Sequence, residues 1–500
     1  MRRIAFALVL LLLVVGLPAL GHNQETSSND RRTVQLTRPG SSEGFELVGR
    51  DPLLRRGMNA APAIYKDFLY VGSRTDASPG HRSPGVLVVD ISRATDPEVV
   101  GEIEEPFEGL PSQTSRELRV WPGKGLLMVM NFRCSSFIHS CVQGDDVWDI
   151  SFYDLRNGHA ADPKLISTYE PSFKPHEMFL WRDPERPGRA LLYISTPHRS
   201  ESPDDDTPNL VVTDISKARS GVFEEVATYS ANPQYDPEAL ESRDVALHSM
   251  GVSAGGERTY LAYLGGGFLV LDSSDLAQDE SDPQLNLITP VDNSPIWPNQ
   301  TVHSAVKVPR HDLIITTDEI YGDLLDDFAF EDHGCPWGWV HFIDVSDEEN
   351  PVLVGQYKVS ENQSAYCGTI AGQDPANTFF TSFSAHNPTV LSDLAFVTWH
   401  SAGLQAFSFD AVGVPEQVGL FSPRPLPGVV TEDVALSQGL NKVVMWSYPI
   451  IKDGLIYVVD IRNGLYVLRY TGPGADEVGR VRFLEGNSNL GAAVRLENGS

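Results

Sequence analysis

Four histidines stand at one recurring place in this chain, in Pro175-His176-Glu177, Leu247-His248-Ser249, Val302-His303-Ser304 and Ala385-His386-Asn387. Each opens a hydrophobic, β-type segment and precedes the next such segment by nearly the same distance. With only 13 histidines in 500 residues, four at equivalent positions is an enrichment. Imidazole binds transition metals and titrates near neutral pH, so the set suits a copper, zinc or iron site, or a centre that handles protons. His198, Asp318-Glu319 and Trp399-His400-Ser401 follow segments of the same kind and would reach the same end of the molecule. His198 and His400 are therefore secondary candidate ligands, and Glu319 and Glu177 candidate acid/base groups. The alternative is structural, with each histidine hydrogen-bonding the backbone of a neighbouring unit around a water-filled channel.

The elements that carry these residues repeat. Hydrophobic strands ending in aspartate recur at Asp90, Asp154, Asp214, Asp272, Asp344, Asp410 and Asp460, between 50 and 72 residues apart. Ahead of most lies another β-rich run, such as Phe68 to Val71, Leu191 to Ile194 and Leu313 to Thr316. Behind several comes a Pro-led strand, as in Pro97-Glu-Val-Val-Gly101 and Pro351-Val-Leu-Val-Gly355. Four antiparallel strands per unit, seven times over and without helical periodicity, predict an all-β, seven-bladed β-propeller. The histidines would begin the innermost strand of blades three to six, with Ala60, Glu117 and Trp446 in the remaining slots. Phe45-Glu-Leu-Val-Gly49 copies the outer-strand pattern with no blade before it, so it is expected to complete the seventh blade and close the ring. Asp476-Glu-Val-Gly479 is a competing closure.

Gly85-Val-Leu-Val-Val-Asp90-Ile-Ser, Leu210-Val-Val-Thr-Asp214-Ile-Ser and Leu455-Ile-Tyr-Val-Val-Asp460 resemble the core of the LVIVD-repeat proteins, exported propellers of mostly unassigned function. The resemblance covers about residues 45 to 470 and implies a fold more than an activity, the aspartate capping the turn after the third strand. More distantly, by architecture and histidines alone, the chain is similar to the selenium-binding protein and methanethiol oxidase group. That resemblance implies a metal held by histidines; the motifs of that group's thiol chemistry have no match here.

Met1-Arg2-Arg3 and the apolar run from Ile4 to about Leu20 read as a secretory signal peptide over 1–21, with an uncleaved single-span anchor as the alternative. No lipobox cysteine follows. The division expected is then a flexible linker over 22–42, the propeller over 43–470 and a C-terminal tail over 471–500, with the mature protein secreted and not inserted in a membrane. In that oxidising setting Cys134 with Cys141 and Cys335 with Cys367 read as disulfides. The balance of 38 basic against 67 acidic residues gives a net charge of −29, which excludes nucleic acid as a partner. The long loop from about Ile320 to Trp339, with Asp323, Asp326, Asp327, Glu331 and Asp332, and the run Asp204 to Asp206 read as solvated acidic loops. No phosphate-cradling glycine loop, nucleophile elbow or H-E-x-x-H helix is present. Two functions follow: an extracellular recognition module whose decorated face binds a protein, glycan or small ligand, or a metal-dependent oxidoreductase.

Overall fold

The computed structural model describes residues 41–135, 139–200, 202–320, 337–369, 383–434, 436–437 and 442–499. The signal-peptide reading, Cys335 and the acidic residues from Asp323 to Asp332 lie outside them. Among the described residues no helix is long and apolar enough to cross a membrane.

The strands pair antiparallel, most of them with their neighbours in sequence. Repeat one is Asn59–Tyr65, Phe68–Ser73, Val86–Asp90 and Glu98–Ile103; repeat two is Gln113–Trp121, Leu126–Arg133, Asp149–Asp154 and Lys164–Tyr169. Repeat three follows the same plan from Met178 to Tyr229. Repeats four and five hydrogen-bond into one eight-stranded sheet, because Leu264 bridges Val302. Repeat six runs from Pro388 to Ser422 and gains Ser41–Glu43 as a fifth strand. Repeat seven consists of Ile450–Lys452, Leu455–Asp460 and Gly464–Tyr470, and its fourth strand is Phe45–Asp51, paired from Phe45 with Tyr470 to Asp51 with Leu465.

Burial follows from this layering. The second strands are buried on both faces, as in Leu313–Asp318, whereas fourth strands such as Val352–Tyr357 and Glu98–Ile103 alternate exposed and half-buried. Each sheet packs on the next through its own apolar cluster. Leu118, Leu127 and Val129 of repeat two meet Tyr70 and Val88 of repeat one, and Phe407 of repeat six meets Ile315 and Phe342 of repeat five. The last sheet packs on the first, Ile450, Tyr457 and Val459 lying against Ile64, Leu69 and Val71.

The strand-ending aspartates share one local device. In each, the carboxylate accepts the backbone N–H two residues on: Ser92 to Asp90 at 2.8 Å, Ser216 to Asp214 at 2.7 Å, Ser346 to Asp344 at 2.8 Å, and likewise at Asp154, Asp272, Asp410 and Asp460. Such turns are what a short carboxylate side chain does best. The seventh differs in place: Leu455–Asp460 is the second strand of its sheet, between Ile450–Lys452 and Gly464–Tyr470, and not the third. Asp460 therefore stands where Asp318 stands in repeat five, which accounts for the short last interval.

The segment expected to be a tail is part of the packed body. Ala475–Arg480 forms a short helix where a competing strand was considered. Phe483–Leu484 then pairs with Ile451–Lys452, and Ser488 bridges Leu180 in repeat three. Asn489 donates to the carbonyls of Arg182 (2.8 Å) and Ala254 (3.0 Å), and Glu497 accepts from the Ala254 N–H at 2.9 Å. The chain end thus crosses the far ends of the inner strands, opposite the histidines. Cys134 and Cys141 are joined, with Sγ–Sγ 2.05 Å. The second expected bridge involves Cys335, outside the described residues.

Candidate metal centre

Strand register shows why the histidines converge. In repeat five Val302 pairs with Asp318 and Ser304 with Thr317, leaving His303 as the extra residue of a bulge. A bulge re-aims its side chain off the sheet normal. His176, His248 and His386 occupy the same position relative to their own second strands: His176 donates its N–H to Ser195, His248 precedes the Ser249–Ala262 pair, and His386 donates its N–H to Thr398. In repeat two the same register gives Ser115 with Asn131 and Glu117 with Met130, so the equivalent residue is Arg116 and not Glu117. The seven slots are therefore Ala60, Arg116, His176, His248, His303, His386 and Trp446.

Hydroxyls lock this ring of backbone. Ser195 Oγ donates to the His248 carbonyl at 2.7 Å, Ser249 Oγ to that of His303, Thr317 Oγ1 to that of His386, and Thr398 Oγ1 to that of Trp446 at 2.9 Å. The structural role considered for the imidazoles, binding neighbouring backbone, is thus filled by serine and threonine. The rings face one another instead. Successive centroids are 4.4 Å apart from His176 to His248, 4.0 Å from His248 to His303 and 3.9 Å from His303 to His386. His176 Nε2 and His248 Nε2 are 2.9 Å apart, a hydrogen bond in which one ring supplies the proton.

Two carboxylates enter the cluster. Glu319 follows the strand Leu313–Asp318 and is pinned by its N–H on the Thr301 carbonyl. Its Oε1 lies 3.1 Å from His386 Nε2 and 3.3 Å from His400 Nε2, and its Oε2 lies 3.5 Å from His303 Nε2. The charge that His386 and His303 carry when protonated, with hydrogen bonds from His386 and His400, outweighs burial and holds this carboxyl well below its usual range. Glu177 Oε1 is 3.7 Å from His303 Nε2 and 4.0 Å from His248 Nδ1. Burial, and then the neighbouring Glu117, push Glu177 well above its usual range. The two carboxyls are thus pushed in opposite directions, the split that acid/base work requires. His400 reaches Glu319 from a backbone φ of +28°, a strained value for histidine.

Donor atoms of Glu177, His248 and His303 lie within 4.8 Å of one another, and so do those of His303, Glu319 and His386. A tetrahedral ion bonded at about 2.0–2.1 Å needs its donors about 3.4 Å apart, so small side-chain shifts suffice. His303 Nδ1 is engaged by Ser304 Oγ at 2.8 Å, and Ser304 Oγ by Asn387 Oδ1 at 2.9 Å, leaving Nε2 to face the cluster. Because the two triads share that single nitrogen, the donor set fits one ion and not two.

Burial pushes the His248 and His386 imidazoles down to about 4, and His176 and His303 well below their ordinary value. All four are neutral, as ligands must be. Because the folded value lies below the unfolded 6.5, the native state resists a proton that the unfolded chain accepts; stability at this group is intact above pH 6.5 and erodes as pH falls to about 4. A chelator-treated His386→Gln protein should therefore gain on wild type over that window by up to about 3 kcal/mol, read from urea midpoints at pH 7 and 4.5. A gap independent of pH would contradict the assignment.

The remaining candidates go elsewhere. His198 turns to Asp205 in its own loop at 2.7 Å, and both are partly exposed. Glu117 pairs with Arg119 (3.3 Å). Two buried groupings lay hidden in the sequence: Arg74 with His139 and Asp433, and Asp318 with Trp297 and His341. The first could have been found, since Arg74 directly follows a second strand as Glu319 does; His139 and Asp433 carry no repeat signal.

No protein-family model matches the chain, those of the LVIVD-repeat and selenium-binding groups included, and no curated protein matches it. Among solved structures it is similar to the periplasmic gluconolactonase of Pseudomonas aeruginosa, with 14% identity over 84% of this chain and 99% of that one, at a TM-score of 0.46. It is also similar to Sqt1 of Saccharomyces cerevisiae, with 8% identity over 86% and 100% and a TM-score of 0.45. A third is the Cps50 (Swd1) β-propeller domain of Myceliophteria thermophila, with 10% identity over 83% and 97% and a TM-score of 0.44. Likeness at this level says nothing of activity.

Proposed function

We propose that this chain is an exported, seven-bladed β-propeller of LVIVD-repeat type, closed by strands from its N-terminal segment, and that it is a metal-dependent enzyme with one transition-metal ion at the channel mouth. The observation that carries the reading is the sharing of His303 by two triads of buried or half-buried, metal-competent donors, with its Nε2 between the two carboxylates. His303 would hold the ion, copper, zinc or iron, together with His386 and Glu319 or with His248 and Glu177, and His176 and His400 would orient the set. Such an ion supplies Lewis acidity and, if copper or iron, one-electron chemistry, which makes an oxidoreductase the preferred class. Glu177, whose protonated form burial favours when it is not a ligand, is the group beside His303 placed to give up or accept a proton. The reading as a recognition module without chemistry survives only if no metal is bound.

Elemental analysis of protein purified without a histidine tag tests the proposal. About one equivalent of copper, zinc or iron is expected, and its loss in a His248→Ala, His303→Ala double variant whose circular dichroism is unchanged. Wild-type protein that stays metal-free after reconstitution with each of the three metals would overturn it.

A further inference from the structure

The slots not filled by histidine have their own pattern. Going round from His386, they hold Trp446, Ala60 and Arg116 before His176. Repeat one therefore places its smallest side chain at the slot, and the residue that follows its second strand, equivalent in register to Glu319, is Arg74. In the order of the repeats, between the two ends of the histidine run, the chain has put a small residue and a guanidinium.

Arg74 is fully buried. Its Nη2 is held by His139 Nε2 at 2.9 Å and Asp433 Oδ2 at 3.4 Å, and Asp433 is itself fixed by His139 Nδ1 at 3.0 Å and the Leu436 N–H at 2.9 Å. Among the described residues its Nε and Nη1 have no hydrogen-bond partner. Buried N–H groups on a cation are costly to leave unmet, so an acceptor beyond the described residues is implied. The guanidinium carbon lies 5.0 Å from the Trp446 ring, and that of Arg116, in the next slot, lies 5.8 Å from the same ring and 5.0 Å from Phe132. Trp446 touches His386 at 5.1 Å between ring centroids, and Phe132 touches His176 at 6.0 Å. Two cations thus converge on one indole that abuts the histidine ring at one end, while an aromatic bridges to it at the other.

We propose that Arg74 and Arg116 form an oxyanion subsite that takes the carboxylate or phosphate of a small substrate and directs the rest of it at His303 and His386. Guanidinium forks match both oxyanions, and aromatic walls suit an organic remainder. The substrate role rests on the metal-centre reading; the anion site does not, and the two can fail separately.

Isothermal titration of the full-length, chelator-treated protein with acetate and with inorganic phosphate tests it. One equivalent of either should bind, which of the two identifying the oxyanion, and binding should weaken about 10- to 100-fold in Arg74→Met and in Arg116→Met. His198→Ala, whose ring turns away to Asp205, should bind the anion as wild type does. If Arg74→Met fails to fold, Arg116→Met gives the same reading alone. The proposal is overturned if neither probe binds wild type, or if a folded arginine variant binds as tightly.

Discussion

Alanine at position 303 should abolish metal binding, whereas alanine at 248 or 386 should leave a weakened site. The two donor triads, Glu177–His248–His303 and His303–Glu319–His386, overlap only at His303. Loss of His248 leaves the second triad whole, and loss of His386 leaves the first. Loss of His303 leaves neither. A structural metal contributes about 10–16 kcal/mol over four ligands, or about 3 kcal/mol for each, so a single outer substitution should weaken binding about 100-fold. Removal of the shared ligand should exceed that by at least another two orders of magnitude, since both remaining halves lack a third donor. Competition against a chromophoric chelator reads all three variants on one scale. Equal losses at 248, 303 and 386 would show that the donors act as one symmetrical set, and the shared-nitrogen geometry would be wrong.

The second large effect lies far from the site. Deleting residues 41–51 should unfold the chain at temperatures where wild type is native, because that segment supplies an edge strand to repeat six and the fourth strand of repeat seven. Phe45 alone is nearly buried between Phe396 (6.0 Å) and Tyr470 (5.4 Å). Phe45→Ala should cost about 3–5 kcal/mol by the usual cavity arithmetic, and the deletion more, since it also strips backbone partners from Gly464–Tyr470. Differential scanning calorimetry of both variants is the measurement. A deletion variant that melts with wild type would mean that another segment covers the exposed strand.

Much of this architecture was legible because it is local. The aspartate that accepts the N–H two residues on needs only its own turn, and it marked every repeat. The same locality produced one misplacement: Asp460 makes the same turn at the end of a second strand as the other six make at the end of a third. A turn carries no record of which strand it ends. The histidines came into register for a related reason, since their distance to the next strand repeats. Arg116 was missed by a single residue, because a bulge adds one position to one strand of a pair, and nothing in hydropathy reveals which residue it displaces.

What the sequence by itself determined was therefore the periodic part: strand repeats, their turns, and an imidazole at the head of four of them. Each of these is an interaction between residues close along the chain. Only the tertiary structure decided that four rings from four repeats touch, that Glu319 rather than His198 completes their set, and that Arg74 lies against Trp446, whose ring touches His386. Those contacts join residues up to several hundred positions apart. They exist because each sheet packs on the next and so brings the first strands of these repeats together, a convergence that no window of sequence contains.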